Sequence, residues 1–491
     1  MNDRISGVLL SVTSLPSHHG IGDFGKGAYE FIDLLKKGGF KLWQILPLNP
    51  IGYGHSPYQP YSSYAIDEQF IDLDELVEKG FLKKAPLFDE KSTVVRYEEV
   101  RAYKLPLLRE AFRAELKKNP KCLEKFKKEN PWVNDWSVFS MLHRRFPMSW
   151  DEWPEGWKNW IIKRPKLAAD DQEEVDFEVY LQYTAYRQWD ALHAYAKKQG
   201  IAIIGDIPFY VGYDSCDVWA NQDTFLLDPQ DRKPTFIAGV PPDYFSATGQ
   251  RWGNPIYDWK HLEDTDFAFI EDRIRINAKV YDIIRLDHFR AFDTYWKIPA
   301  TCDTAIGGEW VEAPGYKLFD SLFKKDPSLQ ARIIAEDLGD LRDEVLVLRD
   351  HYDFPGMNVI EFTFHDCELA HKGDWNRVNS AAYLGTHDND TMLGFFYALE
   401  EQEQGEWMHA LSNMGIKEGT AVERMIRYCL AKPAKWAILT MQDILEKDTD
   451  CRTNVPSTVN DRNWTYKLAD FKAFEAKLPT LAKWLKEYKR A

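Results

Sequence analysis

The chain has 491 residues, of which 44% are hydrophobic and 28% are charged, a composition typical of soluble globular proteins. Lys and Arg total 62 against 77 Asp and Glu, and the resulting net charge of −15 argues against a nucleic-acid partner. No stretch approaches the roughly 18 consecutive apolar residues that a membrane span requires. We therefore expect a globular protein that acts on a neutral substrate.

Eight short apolar runs, several of them rich in Ile or Val, are separated in most gaps by helix-forming segments. Such runs are typical of parallel strands buried on both faces of a sheet. Eight strands alternating with helices predict an α/β protein of the (β/α)₈ barrel class. The runs cover residues 7–12, 42–46, 201–207, 283–286, 333–335, 357–360, 381–384 and 437–441.

Two gaps are much longer than one crossover helix, so we predict a single barrel over 1–491 with two inserts. The first insert, about 70–198, should be mostly helical, because its last segment has apolar residues at helical spacing before Gly200. The second insert, about 213–260, is rich in Asp, Pro and Gly and is predicted to be loop-rich.

The first insert contains a run of tryptophans that suits either a sugar-binding platform or the packing of a small subdomain. We favour packing, because single Trp side chains are usually buried or partly buried. The residues are Trp132, Trp136, Trp150, Trp153, Trp157 and Trp160.

Residues 20–25 match the spacing G-x-G-x-x-G of dinucleotide-binding loops. That fingerprint directly follows a strand and is followed by an acid about 20 residues later. Here seven residues separate Val12, the end of the first run, from Gly20. We therefore interpret the motif as a loop that leads into a helix.

The six cysteines are dispersed and form no Cys-x-x-Cys pair or Cys/His group, so neither a zinc site nor a disulfide framework is favoured. Asp3 and Arg4 precede only a very short apolar run, which is unlike a signal peptide. We expect a reducing, cytoplasmic location, and the oligomeric state is left open.

Acidic side chains occur at the ends of four of the predicted strands. A single Asp there usually caps the next helix, but four at the same edge of a barrel indicate a shared pocket. The residues at these ends are Asp206, Arg285 with Asp287, Glu336, and His387 with Asp388.

Converging carboxylates suit two kinds of chemistry. Glycosidic bond cleavage needs one ionised carboxylate and one protonated carboxylic acid around an oxocarbenium-like transition state. Arg285 lies two residues before Asp287 on the same side of a strand and should keep it ionised, whereas Glu336 has no basic neighbour and suits the general acid. The alternative is a metal-dependent lyase with a divalent ion held by the carboxylates.

The strand-end blocks resemble the catalytic signatures of 4-α-glucanotransferases, also called amylomaltases or disproportionating enzymes, of glycoside hydrolase family 77 in the α-amylase clan. Two further blocks extend the resemblance to nearly the whole chain, from Gly7 to about Trp464. The matching blocks are 285–288 (Arg-Leu-Asp-His), 335–339 (Ala-Glu-Asp-Leu-Gly), 386–391 (Thr-His-Asp-Asn-Asp-Thr), 55–59 (His-Ser-Pro-Tyr-Gln) and 239–255.

The resemblance implies a (β/α)₈ barrel with inserted subdomains, no separate C-terminal β-sandwich, and no metal or other cofactor. It implies Asp287 as nucleophile, Glu336 as acid/base and Asp388 as transition-state stabiliser. The implied substrate-binding residues are Ser56, Tyr58, Asp206, Tyr244, Phe245, Trp252, Arg285 and His387.

The sequence departs from the family pattern in two places. The usual Asn-x-Pro-Gly block ends in Ser457 instead of Gly, at a turn where Gly would allow a positive φ. The usual Phe-x-Phe-Asp block after the sixth strand has His365, with Asp366 one place later.

We therefore expect an enzyme that transfers α-1,4-glucan segments to the 4-hydroxyl of another glucan or glucose through a covalent glycosyl-enzyme. An α-glucan hydrolase of the same clan is the nearest alternative. The metal-dependent lyase and a non-enzymatic glucan-binding protein are the others. We expect α-1,4-glucans, maltooligosaccharides and glucose as ligands, and neither a nucleic acid nor a membrane.

Overall fold

The computed structural model describes residues 4–242, 246–339, 341–365 and 376–491. Within these ranges the strands are β1 (Ile5–Leu9), β2 (Leu42–Gln44), β3 (Ala202–Ile207), β4 (Phe236–Val240), β5 (Gln250–Pro255), β6 (Ile283–Leu286), β7 (Thr294–Pro299), β8 (Glu309–Glu312), β9 (Ile333–Ala335), β10 (Gly356–Val359), β11 (Ser380–Tyr383) and β12 (Trp436–Thr440).

The α-helices in the same ranges begin with α1 (Lys26–Gly38), α2 (Leu73–Glu78), α3 (Tyr97–Lys118), α4 (Cys122–Glu129), α5 (Val133–Arg145), α6 (Glu155–Lys158), α7 (Trp160–Lys163), α8 (Ala169–Gln199), α9 (Cys216–Ala220) and α10 (Trp259–Asp264). They continue with α11 (Ala268–Val280), α12 (Gly315–Lys325), α13 (Asp343–His351), α14 (Ile360–His365), α15 (Met392–Ala398), α16 (Glu401–Asn413), α17 (Ala421–Ala431), α18 (Met441–Ile444) and α19 (Lys472–Glu487). None of these helices is long and apolar enough to cross a membrane.

Eight parallel strands form a barrel in the order β10, β11, β12, β1, β2, β3, β6 and β9. They coincide with the eight apolar runs to within about three residues at each end, so the barrel prediction is confirmed. The N–H of Ala335 on β9 donates to the carbonyl of Pro355 at 2.9 Å, and Asp337 accepts from the N–H of Met357 at 2.7 Å. These bonds join the two end strands of the sheet.

Large side chains fill the barrel interior, which is a packed core. Because the interior is filled, chemistry can take place only at the strand ends and in the loops that follow them. The buried interior residues include Leu9, Leu42, Ile204, Ile334, Met357, Tyr383, Trp436 and Ile438.

The connection from β2 to β3 carries α2 to α8, and Gly200 ends α8 in the left-handed conformation at φ 78°. Its tryptophans pack as predicted: Trp136, Trp150, Trp153 and Trp160 are buried, and Trp132 and Trp157 lie against the same core. The motif at 20–25 forms a loop that leads into α1, as expected, with Gly25 as its N-cap. The boundaries of the two inserts remain predictions.

The second insert contains more regular structure than the sequence indicated. β4 and β5 pair antiparallel there and join β7 and β8 in a four-stranded sheet of order β5-β4-β7-β8. Gly239 permits this pairing, because a Cβ on it would lie 2.0 Å from the carbonyl oxygen of Gln250. Gly and Pro in β5 hid the strand from periodicity arguments.

Candidate active site

Arg285 is the centre of a buried group of side chains at the carboxyl ends of β3, β6 and β9. Its Nη1 donates to both carboxylate oxygens of Asp206, at 2.9 and 2.8 Å, and to Oδ1 of Asp287 at 2.8 Å. β3 and β6 are paired with Asp206 opposite Arg285, so the parallel register brings these charges together. Burial lowers the pKa of Arg285, but the two carboxylates outweigh it and raise that pKa well above its usual value.

Asp287 follows β6 directly and its backbone N–H donates to the carbonyl of Ile207 on β3 at 3.1 Å. Its side chain is 27% exposed, whereas that of Asp206 is fully buried. Of the two carboxylates held by Arg285, Asp287 is therefore the one that an incoming molecule can reach.

Glu336 follows β9 and completes what we call the acid cluster, which is Asp206, Arg285, Asp287 and Glu336. Its carboxylate accepts from the backbone N–H groups of His288 at 2.7 Å and Leu338 at 3.0 Å. Burial, aided by the charge of Asp287 and opposed by Arg285 and the two N–H groups, raises the pKa of Glu336 to about 8. At neutral pH this carboxyl group is therefore largely protonated.

Asp388, in the loop after β11, lies in an environment that favours its ionised form, unlike that of Glu336. His387 Nε2 lies 3.3 Å from its Oδ2, and Asn454 Nδ2 donates to its Oδ1 at 2.6 Å. Desolvation opposes ionisation, but His387 and Asn454 outweigh it and lower the pKa of Asp388 to about 2. The side chain is 46% exposed, so an ionised carboxylate faces the open side of the barrel rim.

Tyr58 links the loop after β2 to both groups. Its hydroxyl donates to Asp206 at 2.8 Å and lies 3.3 Å from His387 Nδ1, while its ring stacks on that of His387 with centroids 4.7 Å apart. Ser56 accepts from the N–H of Tyr58 at 3.2 Å and so orients this turn. The structure thus brings the predicted residues from β2, β3, β6, β9 and β11 to one edge.

Trp252 on β5 brings the second insert to the same edge. Its ring lies edge-on to His288 with centroids 4.9 Å apart, and its carbonyl accepts from Gln59 at 3.0 Å. The other two aromatic residues predicted for this loop, Tyr244 and Phe245, lie outside the described residues, as does Asp366.

Sequence reasoning did not place Asn454, Arg452 and Trp464 in the site. Arg452 donates to the carbonyl of Asp388 at 2.8 Å, and the Trp464 ring lies 5.7 Å from that of Tyr58. The signal that could have found them was the Asn-x-Pro block at 454–456. Its departure has a structural consequence, because Ser457 has φ 62° where Gly would be unstrained.

The arrangement supplies the chemical groups that a retaining glycosyl transfer requires. It combines a carboxyl group protonated at neutral pH, an accessible carboxylate held by an arginine, and a second ionised carboxylate. The polar atoms come from side chains on different strands, which is the usual construction of a barrel active site.

Comparison with known proteins also indicates an enzyme of glycosyl transfer. A family model described as 4-alpha-glucanotransferase matches residues 10–472, which is most of the chain. The chain belongs to the 4-alpha-glucanotransferase family. Membership makes it an enzyme that transfers glucan segments, by the double displacement typical of the family, and does not favour the hydrolase or the lyase.

Individual relatives of this family align from end to end. The 4-alpha-glucanotransferase of Streptococcus pneumoniae is 41% identical over 481 residues, which cover 96% of this chain and 94% of the relative. That of Aquifex aeolicus is 41% identical over 478 residues, which cover 95% and 96%. The solved amylomaltase of Streptococcus agalactiae in complex with acarbose has a TM-score of 0.92 and 36% identity, and covers 99% of this chain and 100% of that one.

Proposed function

We propose that Asp287 is the nucleophile, Glu336 the acid/base and Asp388 the transition-state stabiliser of this glucanotransferase. The observation that supports the proposal best is the pKa of about 8 at Glu336, in contact with the residue next to Asp287. A protonated carboxyl beside an arginine-bound carboxylate matches the division of labour between acid and nucleophile in retaining glycosyl transfer.

In the first step, Asp287 forms a bond to the anomeric carbon while the glycosidic C–O bond breaks. Glu336 gives its proton to the departing oxygen, so the leaving glucan departs as a neutral alcohol. In the second step, Glu336 takes the proton of an acceptor 4-hydroxyl, and that oxygen displaces Asp287 from the anomeric carbon. The configuration at that carbon is retained.

Asp388 acts on the charge that develops between these steps. An ionised carboxylate, kept so by His387 and Asn454, stabilises the positive charge of the oxocarbenium-like transition state. Ser56, Tyr58, Arg285 and His387 hold the sugar at the cleavage point in this proposal. Asp206 is assigned to the same sugar-binding group, and it also positions Arg285 and Tyr58, the two residues that donate hydrogen bonds to it.

Transfer competes with hydrolysis, so the second step needs a held acceptor. The ring of Trp252, packed against His288 next to Asp287, supports an acceptor site on the second insert, to which we also assign Tyr244 and Phe245. α-1,4-Glucans and maltooligosaccharides are the proposed donors, and glucans or glucose the acceptors. The acidic chain with dispersed cysteines supports a cytoplasmic location.

Incubation of the enzyme with maltotriose tests this function. We expect a ladder of longer and shorter oligomers with little net increase in reducing ends. In Trp252→Ala, transfer should fall more than hydrolysis, so that released reducing ends rise relative to transferred chains. Release of reducing ends for every bond cleaved by the wild type would contradict transfer, and an equal loss of both products in Trp252→Ala would contradict the acceptor role.

A further inference from the structure

A second group of charged side chains lies away from the acid cluster, where the loop between β1 and α1 meets the start of α2. The β1–α1 loop contributes His19, which directly precedes the glycine motif at 20–25. The start of α2 contributes Asp72 and Asp74. One nitrogen of His19 and one carboxylate oxygen each of Asp72 and Asp74 lie within 4.8 Å of one another. The transfer reaction does not use this set of donor atoms. The Asp72 carboxylate also caps α2, where it accepts from the N–H groups of Asp74 at 2.9 Å and Glu75 at 3.3 Å.

The hydrogen bonds of Tyr103 determine which His19 nitrogen is free to bind. The hydroxyl of Tyr103 donates its only proton to the carbonyl of Pro86. It must therefore accept from His19 Nδ1, which lies 3.1 Å away, so that nitrogen carries the proton of the neutral imidazole. The lone pair of the neutral ring is then on Nε2, a buried atom without a hydrogen-bond partner. Metal-binding histidines are oriented by a second-shell hydrogen bond of this kind.

His19 Nε2 faces Oδ1 of Asp74 at 3.4 Å. This separation is long for a hydrogen bond, and two lone pairs facing each other repel unless a cation lies between them. Two ligands of a tetrahedral zinc ion, at their usual bond lengths, lie about 3.4 Å apart, so the pair matches one edge of such a site.

The surroundings carry excess negative charge. Asp23, Asp72 and Asp74 are accompanied by one buried cation, Lys104, which lies 3.5 Å from Asp23. Gly25 makes room for the two carboxylates, since a Cβ on it would lie 2.7 Å from Cγ of Asp72 and 2.9 Å from Asp23.

We propose that His19 Nε2 and the carboxylates of Asp72 and Asp74 bind a divalent transition-metal ion, with Zn²⁺ as the best match to this mixed nitrogen and oxygen donor set. The exposed Nδ1 of His18, 3.4 Å from the second oxygen of Asp74, or water completes the coordination. The ion joins the β1–α1 loop to the start of the first insert. It takes no part in glucan transfer, for which the family resemblance implies no metal.

Zn²⁺ binding by the untagged full-length enzyme, stripped with chelator, tests the proposal. We expect one Zn²⁺ per chain by equilibrium dialysis, and a thermal midpoint raised by about 2–3 °C at saturating Zn²⁺. Asp74→Asn should weaken binding at least about 100-fold and abolish the shift in midpoint. Asp74 is half exposed, so this variant should fold, and His19→Gln should behave in the same way if it folds. Transfer activity should stay the same in Asp74→Asn.

Glu78→Gln is the matched control, because it removes an exposed carboxylate from the same helix without touching the site. It should bind Zn²⁺ like the wild type. Co²⁺ bound in place of Zn²⁺ should give a visible absorption band in the wild type and the control, and none in Asp74→Asn. The proposal is overturned if the wild type binds no Zn²⁺, or if Asp74→Asn binds it as tightly as Glu78→Gln does.

Discussion

Two buried groups of arginines and carboxylates in this enzyme use the same residue types to opposite effect. In the insert cluster, which is Glu68, Arg101, Arg144 and Glu178, one carboxylate is held by two arginines. Arg144 and Arg101 lie 3.1 and 3.2 Å from the same oxygen of Glu68, and outweigh its burial to lower its pKa to about 2. In the acid cluster, the one arginine binds Asp206 and Asp287, and Glu336 receives backbone N–H groups.

The difference lies in the ratio of cations to carboxylates. Where two arginines hold the same buried carboxylate, as at Glu68, its pKa is lowered and the ionised group connects elements of the insert. Glu178 is bound by one arginine, Arg144, and burial raises its pKa. Where a single arginine is committed to two carboxylates, the third, Glu336, keeps its proton at neutral pH. Burial therefore accompanies an ionised, structural carboxylate at Glu68 and a protonated carboxyl group at Glu336, the proposed acid/base.

Asp287→Asn should show the largest effect on activity. The amide keeps the shape of the side chain but cannot attack, so disproportionation of maltotriose should fall by roughly 10⁴-fold or more. The thermal midpoint should stay within a few degrees of the wild type. A variant that keeps a substantial part of the activity would remove Asp287 from the role of nucleophile.

Glu336→Gln should be nearly inactive on maltooligosaccharides, by roughly 10²–10⁴-fold. It should lose much less in the first step on a donor with a good leaving group, because that departure needs little protonation. Added azide should rescue turnover on such a donor by replacing the acceptor in the second step. Equal losses on both kinds of donor would argue against the acid/base role.

Arg144→Met, in the insert cluster, should lower stability and leave activity almost unchanged, unlike the substitutions in the acid cluster. Removing the arginine leaves two buried glutamates short of a partner, so the free energy of unfolding should fall by about 3–5 kcal/mol in a urea titration. Arg113→Met, which removes an exposed arginine 3.9 Å from Glu173, should cost less than about 1 kcal/mol. If Arg144→Met reduces transfer as strongly as it reduces stability, the two clusters are not separate in function.

Among the substitutions made in the active site itself, Asn454→Ala should have the smallest effect on activity. It removes the 2.6 Å hydrogen bond to Asp388, and a bond to a charged group is worth about 1.5–3 kcal/mol, so kcat should fall about 10–100-fold with little change in KM. Ser457→Gly in the same loop is the control. It relieves a φ of 62° and should keep full activity with equal or higher stability. An unchanged kcat in Asn454→Ala would show that Asp388 needs no such support.

The sequence predicted the barrel and its active edge because both depend on local patterns. Each buried strand is a short apolar run, and the acidic residues lie near the strand ends: Asp206 within β3, Asp287 and Glu336 directly after β6 and β9, and Asp388 in the loop after β11. Parallel pairing must therefore bring them to one edge of the barrel. These features could be derived without knowing how distant segments pack.

Other parts of the site depend on contacts that no local pattern encodes. Asn454 reaches Asp388 across 66 residues, and the stack of Tyr58 on His387 joins residues 329 apart. β4 contains Gly and β5 contains Gly and Pro, so their periodicity resembles that of a loop. β5 pairs with β4, and β4 pairs with β7, which lies beyond the fourth barrel strand. The protonation of Glu336 was expected from the lack of a basic neighbour, but its extent depends on burial, which appears only in the fold.

The proposed mechanism requires Glu336 to be protonated at neutral pH while Asp388 is ionised. Infrared difference spectra of wild type minus Glu336→Gln, recorded from about pH 5 to about pH 10, follow its carboxyl band directly. The structure predicts that the band of the protonated acid persists at neutral pH and disappears with a midpoint near pH 8, together with the basic limb of kcat/KM. A band already lost near pH 4–5, the ordinary range of glutamate, would contradict the account.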